Sequence, residues 1–265
     1  MERLIPDDGC QFGIGAFETI LVWNGCPVFL EEHLNRLAGA MEALGLLSAG
    51  GQKESGGAAE RKRWKEHFRE EIRGYLSGKE EKEGGLKLMV SEKNVRLSLR
   101  KFPYREEQYR KGFSLGYSWV RRNETSPFTY FKTFNYGDSI MARRAAAAAG
   151  LDEVLFLNSR GEICEGSVSN VFFVSETGII TPPVSCGLLD GIVRRYVMKT
   201  RQVKEQVVTP EMIPEFREMF VTNSLLGIMP AARLGNHEFP SMETARELRA
   251  EYLKLLEENT GKGAG

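Results

Sequence analysis

The chain has 265 residues, 42% of them hydrophobic and 27% charged, and its 36 Lys+Arg balance 36 Asp+Glu. Such a composition suits one large or two modest folded domains and excludes wholesale disorder. Zero formal charge argues against gripping nucleic acid by its phosphates, and no apolar run reaches the ~20 residues of a membrane-spanning helix.

In chain order, Met1-Glu2-Arg3-Leu4-Ile5-Pro6 lacks the basic lead and apolar stretch of a secretory signal, so a cytoplasmic protein is expected. Phe17–Trp23 is β-rich, Asn24-Gly25 is a hairpin turn, and Pro27–Leu30 reads as the returning strand. Leu34, Leu37, Met41 and Leu44 recur at three- and four-residue spacing and predict an amphipathic helix over Glu31–Leu47. Ser48–Ala59 is a Gly- and Ser-rich connection, and a charged helix follows from Glu60 to Ser77. Leu86–Val90 and Phe113–Tyr117 read as further strands of this first unit, with Arg121–Pro127 as an interdomain linker. The expected division is 1–120, a linker at 121–127, and 128–265.

Beyond the linker, Asp138–Ala149 is an Ala-rich helix closed by Gly150. Strands are predicted at Val154–Leu157, Val171–Val174, Ile179–Ile180 and Met219–Thr222, and helices at Gly191–Arg201 and Met242–Glu258. Strands outnumber helices without alternating regularly, which points to an α+β fold in two domains. Cys10, Cys26, Cys164 and Cys186 stand far apart, with no CxxC pair and no His cluster. Reduced thiols and no metal site are expected.

Three segments carry chemistry. Lys132 in Phe131-Lys132-Thr133-Phe134-Asn135-Tyr136 lies among aromatic walls that disfavour an ammonium, as a nucleophile or base requires; taken alone, the segment more often holds a surface lysine lying over rings. Glu165-Gly166-Ser167-Val168-Ser169-Asn170 suits a buried acid held by hydroxyls and an amide, or a solvated hairpin. Gly187-Leu188-Leu189-Asp190-Gly191-Ile192-Val193-Arg194 runs from a turn into a helix whose first amides could cradle phosphate. A plain helix capped by Asp190 is the alternative.

Together with Asp8-Gly9-Cys10-Gln11-Phe12-Gly13 running on to Phe17-Glu18-Thr19, Glu32-His33-Leu34-Asn35-Arg36-Leu37 and Thr222-Asn223-Ser224-Leu225, these segments give the chain a likeness. It resembles the class IV aminotransferase family over nearly its whole length. The resemblance implies the two-domain fold of the D-amino-acid aminotransferases, pyridoxal 5'-phosphate as cofactor, a small-molecule substrate and a homodimer. It makes Lys132 the covalent anchor and proton shuttle, Glu165 the acid on the ring nitrogen, and Tyr136 the phenol on the ring hydroxyl. Arg36 would fork onto the phosphate, and Leu189 would pack under the ring. Gly191, Ile192, Val193 and Ser224 would complete the phosphate cup. Two departures stand out: Val193 replaces a hydroxyl residue frequent in relatives, and Ile14 an aspartate.

Two reactions share such a site. One is release of pyruvate from 4-amino-4-deoxychorismate to leave 4-aminobenzoate, a folate precursor. The other is amino transfer from D- or branched-chain amino acids. The Phe17-Glu18-Thr19-Ile20 start, the Thr222–Leu225 segment and the short chain favour the lyase. An inactive binding module on the same fold is the third reading, opposed by the joint presence of lysine, acid, tyrosine and arginine. Arg96, Arg100, Arg121 and Arg122 lie where relatives reach over the pocket. Arg96 and Arg100 are the candidates for a substrate carboxylate, and most of the four are expected to be surface charges.

Overall fold

The computed structural model describes residues 4–46 and 57–261, so most of the Ser48–Ala59 connection lies outside the described residues. A short helix, α1 (Asp8–Phe12), leads into β1 (Gly15–Trp23). Asn24 and Gly25 then take positive φ values of 48° and 80°, the two-residue turn that reverses a twisted hairpin. The returning strand, β2 (Cys26–Pro27), is shorter than the expected Pro27–Leu30. Phe29 sits at φ 52° and swings the chain straight into α2 (Leu30–Ala43). After α3 (Gly57–Ser77), β3 (Gly84–Ser91) and β4 (Val95–Arg100) complete an antiparallel sheet of order β2-β1-β3-β4. β4 escaped sequence reading because its alternation sets arginines and a serine against the apolar positions.

Pleating sorts this sheet into two faces. Ile20 and Val22 of β1 and Leu86 and Leu88 of β3 pack with Leu34, Leu37, Phe68 and Ile72 of the helices. Each such fully buried side chain contributes about 1.5–3 kcal/mol, so this face holds the sheet and helices together. The register puts Phe17, Thr19, Lys87, Met89, Arg96, Ser98 and Arg100 on the opposite face.

The rest of the chain builds α4 (Glu106–Lys111), β5 (Phe113–Arg122), a 3₁₀ turn at Pro127–Tyr130, α5 (Gly137–Ala148), β6 (Glu153–Asn158) and β7 (Ile163–Gly166). There follow β8 (Asn170–Ser175), β9 (Gly178–Thr181), α6 (Ile192–Thr200), β10 (Val203–Glu205), β11 (Glu218–Asn223), β12 (Gly227–Leu234), β13 (His237–Glu238) and α7 (Glu243–Gly261). Their sheet runs β10-β9-β8-β11-β12-β5-β6-β7, with β13 on β12. Its core gathers Leu115, Leu155, Val171, Phe173, Met219, Val221 and Met229.

The mixed α+β character is as expected, but β5 is not a strand of the first sheet. It runs parallel between β12 and β6, two non-local pairings that composition cannot show. Among the described residues, one unit takes in everything up to Pro103 together with Phe131–Asn135 and the last two residues, Thr260 and Gly261. The other takes in Tyr104–Tyr130 and Tyr136–Asn259. The 121–127 stretch expected as a linker is therefore part of the second unit, because β5 continues through Arg122. No helix among the described residues is long and apolar enough to cross a membrane.

Candidate active site

Lys132 belongs to the first unit through backbone pairing. The N–H of Phe17 donates to the Lys132 carbonyl at 2.9 Å, and that of Phe134 to Gly15 at 2.8 Å. The fit requires glycine at position 15, where a Cβ would lie 2.4 Å from the Phe134 ring. Lys132 Nζ sits over the Phe17 ring, 4.4 Å from its centroid. Lys87 Nζ lies 4.6 Å from the same centroid. Burial and the neighbouring charges of Arg100 and Lys132 push the Lys87 ammonium below its ordinary pKa. Among the described residues Lys87 pairs with no carboxylate. Sequence reading passed over it as one charge in a short strand.

On the opposite face, Glu18 is 0% exposed. It accepts from Arg36 Nε at 2.8 Å and Nη2 at 2.7 Å, and from His33 Nδ1 at 2.7 Å. Burial would raise the Glu18 carboxyl, but the Arg36 guanidinium and His33 hold it well below the usual carboxylate range. Burial lowers His33, reinforced by the charges of Arg36 and Lys132, so it stays neutral and donates Nδ1–H to Glu18. The Arg36 guanidinium is thus oriented by a buried carboxylate from β1. Glu18 looked like part of a motif, and the signal that it mattered was an acid at a core-facing position of a strand.

The second unit holds the other candidates. Glu165, 6% exposed on β7, accepts the Leu189 N–H at 3.0 Å through Oε2. Its Oε1 lies 3.0 Å from Arg122 Nη2. Arg122, expected among surface charges, donates to Ser139 Oγ at 2.9 Å and stacks 4.0 Å over the Phe156 ring. Tyr136 stands at the start of α5, where burial and then the charge of Glu165 push its phenol well above the ordinary range. It is protonated at neutral pH and remains a donor.

The α6 helix starts at Gly191 with no side-chain cap. Asp190, read as its cap, instead pairs with Arg194 at 2.8 Å. The first-turn amides of Ile192 and Val193 therefore form a donor edge. Asn170 Nδ2 donates to the Leu189 carbonyl at 2.7 Å, and a Cβ on Gly191 would lie 2.1 Å from Asn170 Oδ1. Ser224 follows the end of β11, beside Thr222, whose buried hydroxyl has no hydrogen-bond partner among the described residues. Uncapped amides, an orphaned hydroxyl and a buried acid fit an anionic, ring-bearing cofactor such as pyridoxal phosphate.

The family model described as amino-transferase class IV matches residues 15–234. The chain belongs to the class IV aminotransferase family. These are pyridoxal-phosphate-dependent enzymes, lyases or aminotransferases. Among class IV relatives, a probable branched-chain-amino-acid aminotransferase of Thermotoga maritima is 38% identical over 46% of this chain, spanning about half (48%) of that relative. The aminodeoxychorismate lyase of Bacillus subtilis is 26% identical over 94% of this chain and 88% of its own. A crystal structure described as a putative 4-amino-4-deoxychorismate lyase from Legionella pneumophila superposes with a TM-score of 0.76 at 26% identity, covering 95% of this class IV chain and 96% of that one.

Proposed function

We propose that this enzyme is a 4-amino-4-deoxychorismate lyase that releases pyruvate and 4-aminobenzoate. The observation that carries the reading is the cationic face of the small sheet, opposite the one that packs on α2 and α3. Lys87, Arg96 and Arg100 share it with Phe17, over whose ring Lys132 lies. A substrate with two carboxylates matches that charge. An aliphatic amino acid, with one carboxylate and an apolar side chain, offers that face a single anionic group.

Pyridoxal phosphate, when bound, supplies the electron-withdrawing ring that stabilises negative charge at the amine-bearing carbon. Lys132 is its covalent anchor and moves the proton at that carbon. Glu165 holds a proton at the ring nitrogen, steadied by the Leu189 amide and Arg122. Tyr136 donates to the ring hydroxyl, and Leu189 supports the ring. Arg36, the amides of Gly191, Ile192 and Val193, and Ser224 bind the phosphate. Val193 offers its amide alone, having no hydroxyl. The reading includes a cytoplasmic homodimer in folate-precursor synthesis. Tyr117 and Trp119, 39% and 73% exposed on one face of β5, offer apolar surface for a second copy.

The test is turnover of 4-amino-4-deoxychorismate with no keto acid added. Sustained formation of pyruvate and 4-aminobenzoate is expected. Inertness together with sustained transfer from D-alanine or leucine to 2-oxoglutarate would overturn the lyase reading. The second reading is an aminotransferase of D- or branched-chain amino acids, favoured by the 38% identity to the Thermotoga maritima protein. It leaves the roles of Lys132, Glu165, Tyr136 and Arg36 unchanged.

A further inference from the structure

We propose that Glu153 is the positioning residue for the phosphate-binding segments, acting through the turn between β7 and β8. The inference rests on the reading of this site as one for pyridoxal phosphate. Glu153 opens β6 and is 2% exposed. Its Oε1 accepts from the N–H of Val154 at 2.9 Å, from that of Ser167 at 3.0 Å and from the Ser167 hydroxyl. Its Oε2 accepts from the Val168 N–H at 3.3 Å and from Ser169 Oγ at 2.9 Å. One carboxylate thus gathers the donors of three successive residues. The turn closes so tightly that a Cβ on Gly166 would lie 2.2 Å from Ser169 Oγ and 3.1 Å from the Glu153 carboxyl.

Two ties leave that turn. The Val168 carbonyl accepts from Asn223 Nδ2 at 3.1 Å, and Asn223 Oδ1 accepts the N–H groups of Leu225 and Leu226, each at 2.9 Å. This second turn carries Ser224. On the other side, Asn170 holds the Leu189 carbonyl and packs against Gly191, where α6 begins. The Ser224 hydroxyl and the α6 amides therefore both depend on a turn fastened by Glu153. Glu218 provides the contrast. It is also fully buried, and accepts from Ser241 Oγ, Thr244 Oγ1 and the Ala245 N–H, so it fastens the start of α7 alone.

Glu153→Gln keeps the shape but turns one oxygen into a donor facing the N–H of Val168, or those of Val154 and Ser167. Two readouts are taken against a Glu218→Gln control: amide hydrogen exchange in the cofactor-free protein, and affinities for pyridoxal phosphate and for pyridoxal, which lacks the phosphate. In Glu153→Gln the Leu225 and Leu226 amides should exchange at least tenfold faster. Affinity for pyridoxal phosphate should fall at least tenfold while that for pyridoxal changes less than twofold. Glu218→Gln should leave the ratio of the two affinities unchanged. Unaltered protection at Leu225 and Leu226, or equal loss for both ligands, would overturn the role. Should Glu153→Gln fail to fold, Ser169→Ala removes one of the bonds and is judged by the same ratio. A wild-type protein that binds neither ligand overturns the site reading and this role with it. A wild type that binds, with an unchanged ratio in the variant, overturns the role alone.

Discussion

Replacing Glu18 by Gln separates a buried ion pair from a surface one. An exposed pair contributes ~0.2–1 kcal/mol, whereas removing one partner of a buried pair costs ~3–5 kcal/mol because the other charge is left uncompensated. Glu18 is wholly buried, but the Arg36 side chain is 11% exposed, so some solvent reaches its guanidinium. The lower end, about 3 kcal/mol, is the expectation. The pH dependence has a definite sign. The folded-state carboxyl lies below its ordinary value of 4.5, so its stabilisation is complete above that pH and is lost as pH falls below it. The gap between wild type and variant should shrink by about 1.4 kcal/mol on going one pH unit lower. Urea unfolding of the cofactor-free proteins, followed by tryptophan fluorescence at several pH values, measures both. A variant within about 1 kcal/mol of wild type at pH 7.5 would refute the reasoning, as would a gap that ignores pH. The same change should loosen pyridoxal phosphate through misoriented Arg36, and Arg36→Ala should weaken it roughly a hundredfold.

Lys132→Ala should abolish turnover while leaving the far-ultraviolet circular dichroism unchanged; residual activity above trace would reassign the lysine. Glu165→Gln should keep the cofactor, seen by its absorbance, yet lose most turnover, because an amide stabilises a protonated ring nitrogen poorly; near-normal kcat would mean that Glu165 does not serve the ring. His33 stays neutral below its ordinary pKa of 6.5, so the unfolded chain takes up the proton first and stability falls as pH drops below that value. Wild type should therefore lose up to about 1.4 kcal/mol per pH unit more than His33→Gln there, and parallel unfolding curves would contradict a neutral His33. Lys87→Met should raise KM for 4-amino-4-deoxychorismate about tenfold with kcat little changed, the loss of one charge-assisted contact; an unaltered KM would remove Lys87 from the substrate face.

What could be read from the sequence was local. Asn24-Gly25 and the stop at Gly150, which takes φ 71°, are decided by a few neighbouring residues. Helices α2 and α7 form where expected because helical signals are short-ranged, although α2 stops at Ala43, short of the expected Leu47. What could not be read was pairing across distance. β5 lies between β12 and β6, and Phe113–Tyr117 carries nothing to distinguish that sheet from the other. Arg122 sat in a polar run that looked like linker, though its charge meets Glu165 more than forty residues on. Glu153 drew no notice in the sequence; only the fold brings the 167–169 turn onto it. The candidate residues themselves were visible as motifs, while the contacts that Glu18 makes with Arg36 and Arg122 with Glu165 were not.

The backbone pairing of Phe17 with Lys132 also bears on how the protein is made. Residues up to 103 can leave the ribosome and form their helices and four strands, yet the edge of β1 at Gly15 and Phe17 stays unpaired until Phe134 emerges. At typical elongation rates that wait is on the order of a few seconds. β5, made in the same interval, lacks its neighbour β12 for a further hundred or so residues of synthesis. Two open strand edges therefore coexist on the nascent chain, the condition under which edge-to-edge association competes with folding. Slowing translation once Asn135 has left the ribosome should accordingly lengthen the exposure of β5 while sparing the β1 edge.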